Sequence, residues 1–321
     1  IRRGEVRLPI LILGYTPAEY AANMIFLDIT QEVHSLEYAR ELNEALAGTN
    51  YILNVHLKLD TGMTRIGFFA YDNERTLDEL RQVAPLPHLH IEGVFMHFCV
   101  ADSRAEADVS FTKLQYKRFM DMLSAMAGVG IRPEIRHCCN SGATILYPQF
   151  ALDMVRPGII TYGNAPSDEL EGALSLRPMM SLHSMIAQVR TVPAGTDISY
   201  GRLYRTKEET RVAVLPIGYA DGFFRGLSNR MAVQTAYGPA PQRGRICMDM
   251  CMIDVSGVPE AKPGDVVTIF GYDDDGTLLP CERLARAQGT INYELLCQIS
   301  KRIPRICHRG AETSQILQYI V

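Results

Sequence analysis

The first half of the chain alternates short apolar runs with stretches of helical periodicity. Pro9–Gly14, Leu27–Val33, Ile52–Leu59, Ile91–Phe98, Ile135–Asn140 and Met154–Thr161 read as strands. Between them apolar residues recur at three- and four-residue spacing, as on one face of a helix. One such helix starts at Ser35, a plausible N-cap. It runs through Leu36, Ala39, Leu42 and Leu46 and stops at Gly48. Another runs through Tyr116, Phe119, Met120, Leu123 and Met126 and ends near Gly128. Strands alternating with helices predict βαβ units and a parallel sheet. After about residue 170 the helical period fades. Met185–Val192, Val212–Ile217, Met231–Thr235, Met248–Val255 and Val266–Ile269 follow as strands, with turns at Tyr237-Gly238-Pro239 and Lys262-Pro263-Gly264-Asp265. One helical stretch, Cys281–Ala287, interrupts them. The pattern predicts two domains, an α/β domain over residues 1–170 and a mostly β domain over residues 171–321.

Polar residues gather where the first set of strands ends. Lys58 with Asp60-Thr61-Gly62 closes the third, His97 the fourth, Asn140-Ser141 the fifth and Pro157-Gly158 the sixth. In a (β/α)8 barrel the carboxyl ends of the strands carry the active site. A doubly wound sheet would want a glycine-rich first βα turn, and none is visible. A closed barrel has eight strands, so about two βα units are expected ahead of Ile1.

Composition narrows the function. Hydrophobic residues make up 47% and charged residues 21% of the 321 positions, as in a folded enzyme. The formal net charge of −4 gives no reason to expect nucleic acid or an anionic membrane as partner. No apolar run approaches the ~20 residues of a membrane span. The eight cysteines are scattered or adjacent, as at Cys138-Cys139, with no C-x-x-C pair. They read as reduced thiols of a cytoplasmic protein rather than a disulfide set. His88 and His90, the one close histidine pair, lack acidic or thiol neighbours, so no metal site is expected.

Several segments could carry chemistry. Lys58 and Arg65 leave a strand through a glycine turn, and arginine suits bidentate capture of a carboxylate. Ordinary surface charge is the plainer reading. Arg156 precedes Pro157-Gly158, where the amides of Gly158 and Ile159 and the hydroxyl of Ser141 can serve a phosphate. A simple strand-end turn explains the same residues. Tyr200, between Ser199 and Gly201, can act as a general acid–base, though most of the fifteen tyrosines must be packing residues. Arg245–Asp249 and Ile291–Glu294 mix polar and apolar residues in a way that strand-edge packing also explains.

Taken together, PILILGYTP, LKLDTGMTRIGF, EGVFMHF, RHCCNSGA, DMVRPGIITYG, ISYGRLY, PIGYADGF, RICMDM and INYELL resemble the alanine racemases in order and spacing over essentially the whole chain. The resemblance implies a fold-type III pyridoxal-phosphate enzyme: a (β/α)8 barrel, here lacking its first strands, followed by a mostly β domain. It implies interconversion of L- and D-alanine for peptidoglycan precursors by a cytoplasmic homodimer with shared sites and pyridoxal 5′-phosphate as cofactor. By position, Tyr200 matches the catalytic tyrosine that acts in the partner's site. His97 and Arg156 match its supporting network, with Arg156 on the cofactor's ring nitrogen. Ser141, Gly158, Ile159 and Tyr293 match the phosphate binders. Arg65 and Met248 match the substrate contacts, and Lys58 the lysine that is often carbamylated. The family's Schiff-base lysine lies in a Lys-Ala-Asn-Ala-Tyr-Gly-His-Gly type motif, and none of Lys58, Lys113, Lys117, Lys207, Lys262 or Lys301 has that context. The chain is therefore expected to be an N-terminally trimmed, inactive form. A serine racemase of the glycopeptide-resistance type, or a non-catalytic remnant that dimerises or binds cofactor, is the alternative. Decarboxylases sharing the barrel fit less well, for want of their phosphate loop and Cys-Asp pair.

Overall fold

The computed structural model describes residues 1–310 and 312–319. The chain divides into two compact units. One comprises Ile1–Thr161 with Ala165–Ser175, and the other Tyr162–Asn164 with the residues from Leu176 onward.

The first unit is a parallel half-barrel. Its strands are β1 (Ile10–Ile12), β2 (Ile29–Val33), β3 (Leu53–Asp60), β4 (Phe68–Phe69), β5 (Leu89–Phe95) and β6 (Ile135–His137). The sheet order is β1-β2-β3-β5-β6, with β4 joining the carboxyl end of β3. Helices α1 (Ala21–Phe26), α2 (Leu36–Ala45), α3 (Asn73–Val83), α4 (Glu106–Met126) and α5 (Ser141–Leu146) alternate with the strands. On α2 the buried residues Leu36, Ala39 and Leu42 recur on one face, and the Ser35 hydroxyl accepts the Tyr38 amide at 3.1 Å. The central strand β3 is buried on both faces. Leu53, Val55, Leu57 and Leu59 enter the core beneath the helices, and alternation sends His56, Lys58 and Asp60 to the other face. That polar row on the inner face positions the site.

The expected strand at Met154–Thr161 is reduced to one parallel bridge, His137↔Met154, and the Arg156 amide bonded to the Cys139 carbonyl at 2.9 Å. Pro157 has no N–H to continue the ladder, and a 3-10 turn covers Ile159–Tyr162. Ser141, read as the end of a strand, is instead the first residue of α5, with Asn140 as N-cap. Ile29 rather than Leu27 opens β2, because Asp28 turns the chain with φ 51°.

The second unit is built on an antiparallel sheet. Its strands are β7 (Leu182–Met185), β8 (Gln188–Val192), β9 (Asp197–Ile198), β10 (Tyr204–Arg205), β11 (Thr210–Leu215), β12 (Ala232–Thr235), β13 (Gly238–Arg243), β14 (Cys251–Asp254), β15 (Val266–Tyr272), β16 (Leu278–Leu279), β17 (Arg305–Arg309) and β18 (Glu312–Leu317). The main sheet runs β16-β15-β12-β13-β14-β11-β8, with β7 on β15. Ala213, Leu215, Val233, Ile253, Val267 and Ile269 form its core with α6 (Glu282–Gln288) and α7 (Asn292–Cys297). The single strand expected over Met185–Val192 splits, because the chain changes partners. Ile186 bonds to Asp265, and Ala187 then bonds to Val214. Tyr237-Gly238-Pro239 is not only a turn, since Gly238 opens β13. Ile291–Glu294 starts the helix α7 and does not form a strand edge.

Candidate active site

Lys58, near the end of β3, is buried, and its Nζ donates to the Leu59 carbonyl at 2.8 Å. Burial pulls its pKa down to about 8. Arg156 and Arg65 push the same way, and Asp60 opposes them. Asp60 shapes the turn that follows. Its Oδ1 accepts the amides of Gly62, Met63 and Thr64 at 2.9, 3.0 and 3.1 Å. At Gly67 (φ 126°) a Cβ would lie 2.8 Å from the Lys58 carbonyl oxygen, so the chain returns against β3 only as glycine. Arg65, exposed on this loop, has no hydrogen-bond or ion-pair partner among the described residues.

Gln115 of α4 fastens the loop to its neighbour. Its side chain donates to Thr61 Oγ1 at 3.2 Å and to the His97 carbonyl at 3.4 Å, and it accepts the Cys99 amide at 3.2 Å.

Arg156 sits at the centre. Its Nη1 donates to His137 Nδ1 at 2.6 Å, and its Nη2 to the carbonyls of Met96 (2.7 Å) and Cys138 (3.2 Å), with His97 Nδ1 at 3.4 Å. Its guanidinium lies 5.3 Å from the Phe95 ring centroid. Burial lowers its pKa to about 10, which leaves it charged at neutral pH. Burial, reinforced by the Arg156 charge, holds His97 at about 3 and His137 at about 2, so both rings are neutral.

These contacts assign the tautomers. Arginine only donates, so His137 Nδ1 is an acceptor and its Nε2–H donates to His56 Nδ1 at 2.9 Å. His56 Nε2–H in turn donates to Glu92 Oε2 at 3.1 Å, where Thr30 Oγ1 also donates at 3.2 Å. His56 packs directly on Gly93, where a Cβ would lie 2.5 Å from the ring. Arg156 Nε has no hydrogen-bond partner among the described residues, so its N–H is free to serve a ligand.

Ser141 opens α5 just after β6, and Gly158 and Ile159 lie on the turn after the Met154 bridge. Ser141 and Ile159 are buried, and Gly158 borders open space. The second unit carries Tyr200, Met248 and Tyr293. Tyr200 is 71% and Met248 53% exposed. The Ser199 hydroxyl connects their two loops by donating to the Arg245 carbonyl at 2.7 Å. Tyr293 is on α7. The structure thus gathers Lys58, His97 and Arg156 in one cluster, with Arg65 within reach of its field, and it ties the loop of Tyr200 to the loop of Met248.

His56, Glu92, His137, Gln115 and Ser199 were not singled out from sequence. Alternation along β3 already places His56 on the face of Lys58, which was a usable signal. Among the described residues no cluster of three or more His, Cys, Asp or Glu side chains is arranged to hold a metal ion. No helix among them is long and apolar enough to cross a membrane.

The chain is similar to known proteins over nearly its whole length. Residues 1–166 match the model of the alanine racemase N-terminal domain, and residues 179–307 that of the alanine racemase C-terminal domain. Alanine racemase of Desulfovibrio desulfuricans is 45% identical over 306 residues, covering 95% of this chain and 80% of the relative. That of Clostridium tetani is 41% identical over 100% of this chain and 82% of the relative. Among solved structures, alanine racemase of Clostridium difficile 630 superposes with a TM-score of 0.91 at 39% identity, covering 100% of this chain and 81% of that one. The Bacillus anthracis enzyme with bound L-Ala-P gives 0.89 at 34% identity, covering 99% and 80%. Both units are matched, at high identity and with the same fold, and the chain belongs to the alanine racemase family of isomerases.

Proposed function

We propose that the chain serves in an alanine racemase that interconverts L- and D-alanine for peptidoglycan precursors, as a cytoplasmic homodimer using pyridoxal 5′-phosphate. Residues 1–170 would hold the cofactor, and residues 171–321 would reach into the partner's site. The observation that carries this reading is Arg156, a largely enclosed guanidinium held through both Nη atoms, whose Nε has no partner among the described residues. A basic ring nitrogen is the acceptor that such a donor fits, and a phosphate suits the Ser141 hydroxyl with the Gly158 and Ile159 amides. Tyr293 would be a further phosphate contact. The eight free cysteines support a reducing compartment.

When bound, pyridoxal phosphate supplies an electron-poor ring that makes the amino acid's Cα–H acidic. Arg156 donates and cannot release its proton near neutral pH, so it would hold the ring nitrogen as an acceptor and limit that withdrawal. His97, kept neutral, braces the same guanidinium without adding charge. Arg65, without a partner among the described residues, would take the substrate carboxylate, with Met248 of the partner against the substrate. Lys58, partly unprotonated near pH 8, suits carbamylation, which would turn it into an anionic brace for Arg65. Tyr200 would move the α-proton on one face.

The opposite face needs a second base, and the lysines of this chain do not provide it. Lys113, Lys117, Lys207, Lys262 and Lys301 are exposed, and Lys58 is buried on its own backbone. A protein of these 321 residues alone is therefore proposed to be inactive. Purified protein given pyridoxal phosphate should show no cofactor band that borohydride fixes to the chain, and no racemisation. Joining a lysine-bearing segment from a relative ahead of Ile1 should bring racemisation of L-alanine, and Tyr200→Phe should abolish it. A borohydride-fixed adduct on the unextended chain would overturn the inactivity. Equal rates on serine in the extended protein would overturn the choice of substrate.

A further inference from the structure

Ser199 has a backbone that serine rarely adopts, with φ 67° and ψ −176°. Residues with a Cβ persist there only where the surroundings over-determine them. The turn stays left-handed at Gly201 (φ 67°) and Arg202 (φ 52°), and the exposed Tyr200 stands between them and Ser199.

The constraint comes from the side chain of Ser199 itself. Its hydroxyl donates to the Arg245 carbonyl at 2.7 Å and lies 3.4 Å from Cys247 Sγ. Arg245 begins the loop that ends in Met248, and that loop is fastened all along its length. The Ile246 amide donates to Ser228 Oγ at 3.1 Å, and the Cys247 amide to the Met250 carbonyl at 2.9 Å. The carbonyls of Cys247 and Met248 accept the amides of Tyr219 and Ala220. Upstream, Gly244 donates to Asn229 Oδ1 at 2.7 Å, and its carbonyl accepts from the buried Gln242 side chain at 2.9 Å. Gly244 also lets the two loops touch. A Cβ there would lie 2.6 Å from the Ile198 carbonyl oxygen and 2.9 Å from Ser199 Cβ. The Tyr200 turn is thus tied to a loop anchored on three sides, closely by the Ser199 hydroxyl and more loosely through Asn229, which accepts the Gly244 amide and donates to the Leu203 carbonyl at 3.5 Å.

We propose that Ser199 is a positioning residue that fixes Tyr200 and Met248 on one rigid platform. This deepens the racemase reading and rests on it. A proton-moving hydroxyl and a substrate contact that both serve the neighbouring site must keep a set spacing, and glycine, the relaxed choice at this φ, would not supply the bond. The chain carries a strained serine instead, because its hydroxyl joins the two loops.

Ser199→Gly separates positioning from fold stability, since glycine accepts the backbone without strain. Amide exchange and thermal midpoints, measured without cofactor or substrate, provide the readout. In S199G the midpoint should hold or rise, while the amides of Arg202, Ile246 and Cys247 exchange at least about tenfold faster and those of β11 stay unchanged. S199A, which keeps the strain and loses the bond, should show the same local loosening with a lower midpoint. Unchanged exchange in S199G, loosening of one loop only, or loosening that spreads evenly through β11 would each overturn the proposal. Because no cofactor is present, such a failure leaves the racemase reading standing, and failure of the Tyr200→Phe assay leaves these exchange rates untouched.

Discussion

Lys58 holds a buried amine, and burial pulls its pKa down to about 8 from the usual 10.5. A shift of that size corresponds to about 3 kcal/mol. Lys58→Met, which keeps the stem and drops the charge, should therefore stabilise the unliganded protein by roughly 1–3 kcal/mol in urea denaturation at pH 7. A loss of stability would mean that the bond to the Leu59 carbonyl outweighs burial. Gly93 makes the opposite case. An added methyl meets the His56 ring at 2.5 Å, and that ring is held on both sides by His137 and Glu92. Gly93→Ala should cost about 1–3 kcal/mol by overpacking, read in the same denaturation series. No change would show that the ring can swing aside. Neither effect is visible in the sequence, where His56 and Gly93 read as ordinary strand positions. What was legible at this scale were Lys58, His97 and Arg156, because strand ends in a βα pattern mark themselves.

Elements were legible where local chemistry and burial agree. The helix α2 announces itself through Ser35 and its apolar stripe. Ser35→Ala should cost about 1 kcal/mol by freeing the Tyr38 amide, a difference that thermal unfolding would detect and whose absence would show the cap to be idle. The elements missed are those in which proline or brevity hides the pattern. In β13, Pro239 reads as a turn residue, and Pro241 follows it two positions on. The Gln242 amide bonds toward β12 at Met231, so alternation points the two proline nitrogens the other way. On that side β14 pairs only from Gln242, and the missing N–H groups leave no gap in a ladder. Helix α7 is six residues long, too short for a helical period to emerge. At Met154–Thr161 the apolar run promised a strand, but Pro157 ends the pairing just past Arg156. The platform under Tyr200 was hidden for another reason: a positive φ at serine leaves no trace in sequence.

At the scale of the whole molecule, two neutral histidines, His137 buried and His97 partly so, set the response to acid. His97 and His137 titrate at about 3 and 2 when folded, against an ordinary 6.5. The unfolded chain binds those protons first, so stability is complete above pH 6.5 and falls as pH drops from there toward 3. Each ring contributes a slope of about 1.4 kcal/mol per pH unit across that window. Urea midpoints measured from pH 7 to pH 4 should decline accordingly, and a flat profile would show that one ring gains a counter-charge or water on protonation. His137 has a further property, shared with its neighbour His56. From Arg156 through His137 and His56 to Glu92 every proton points the same way. Turning one imidazole to its other tautomer would set two N–H groups head to head at one end and two lone pairs at the other. Neither ring can change alone, and the guanidinium, which has nothing to accept with, forbids both changing together. The row is a latch with a single position, closed by the one residue in it that cannot accept a proton.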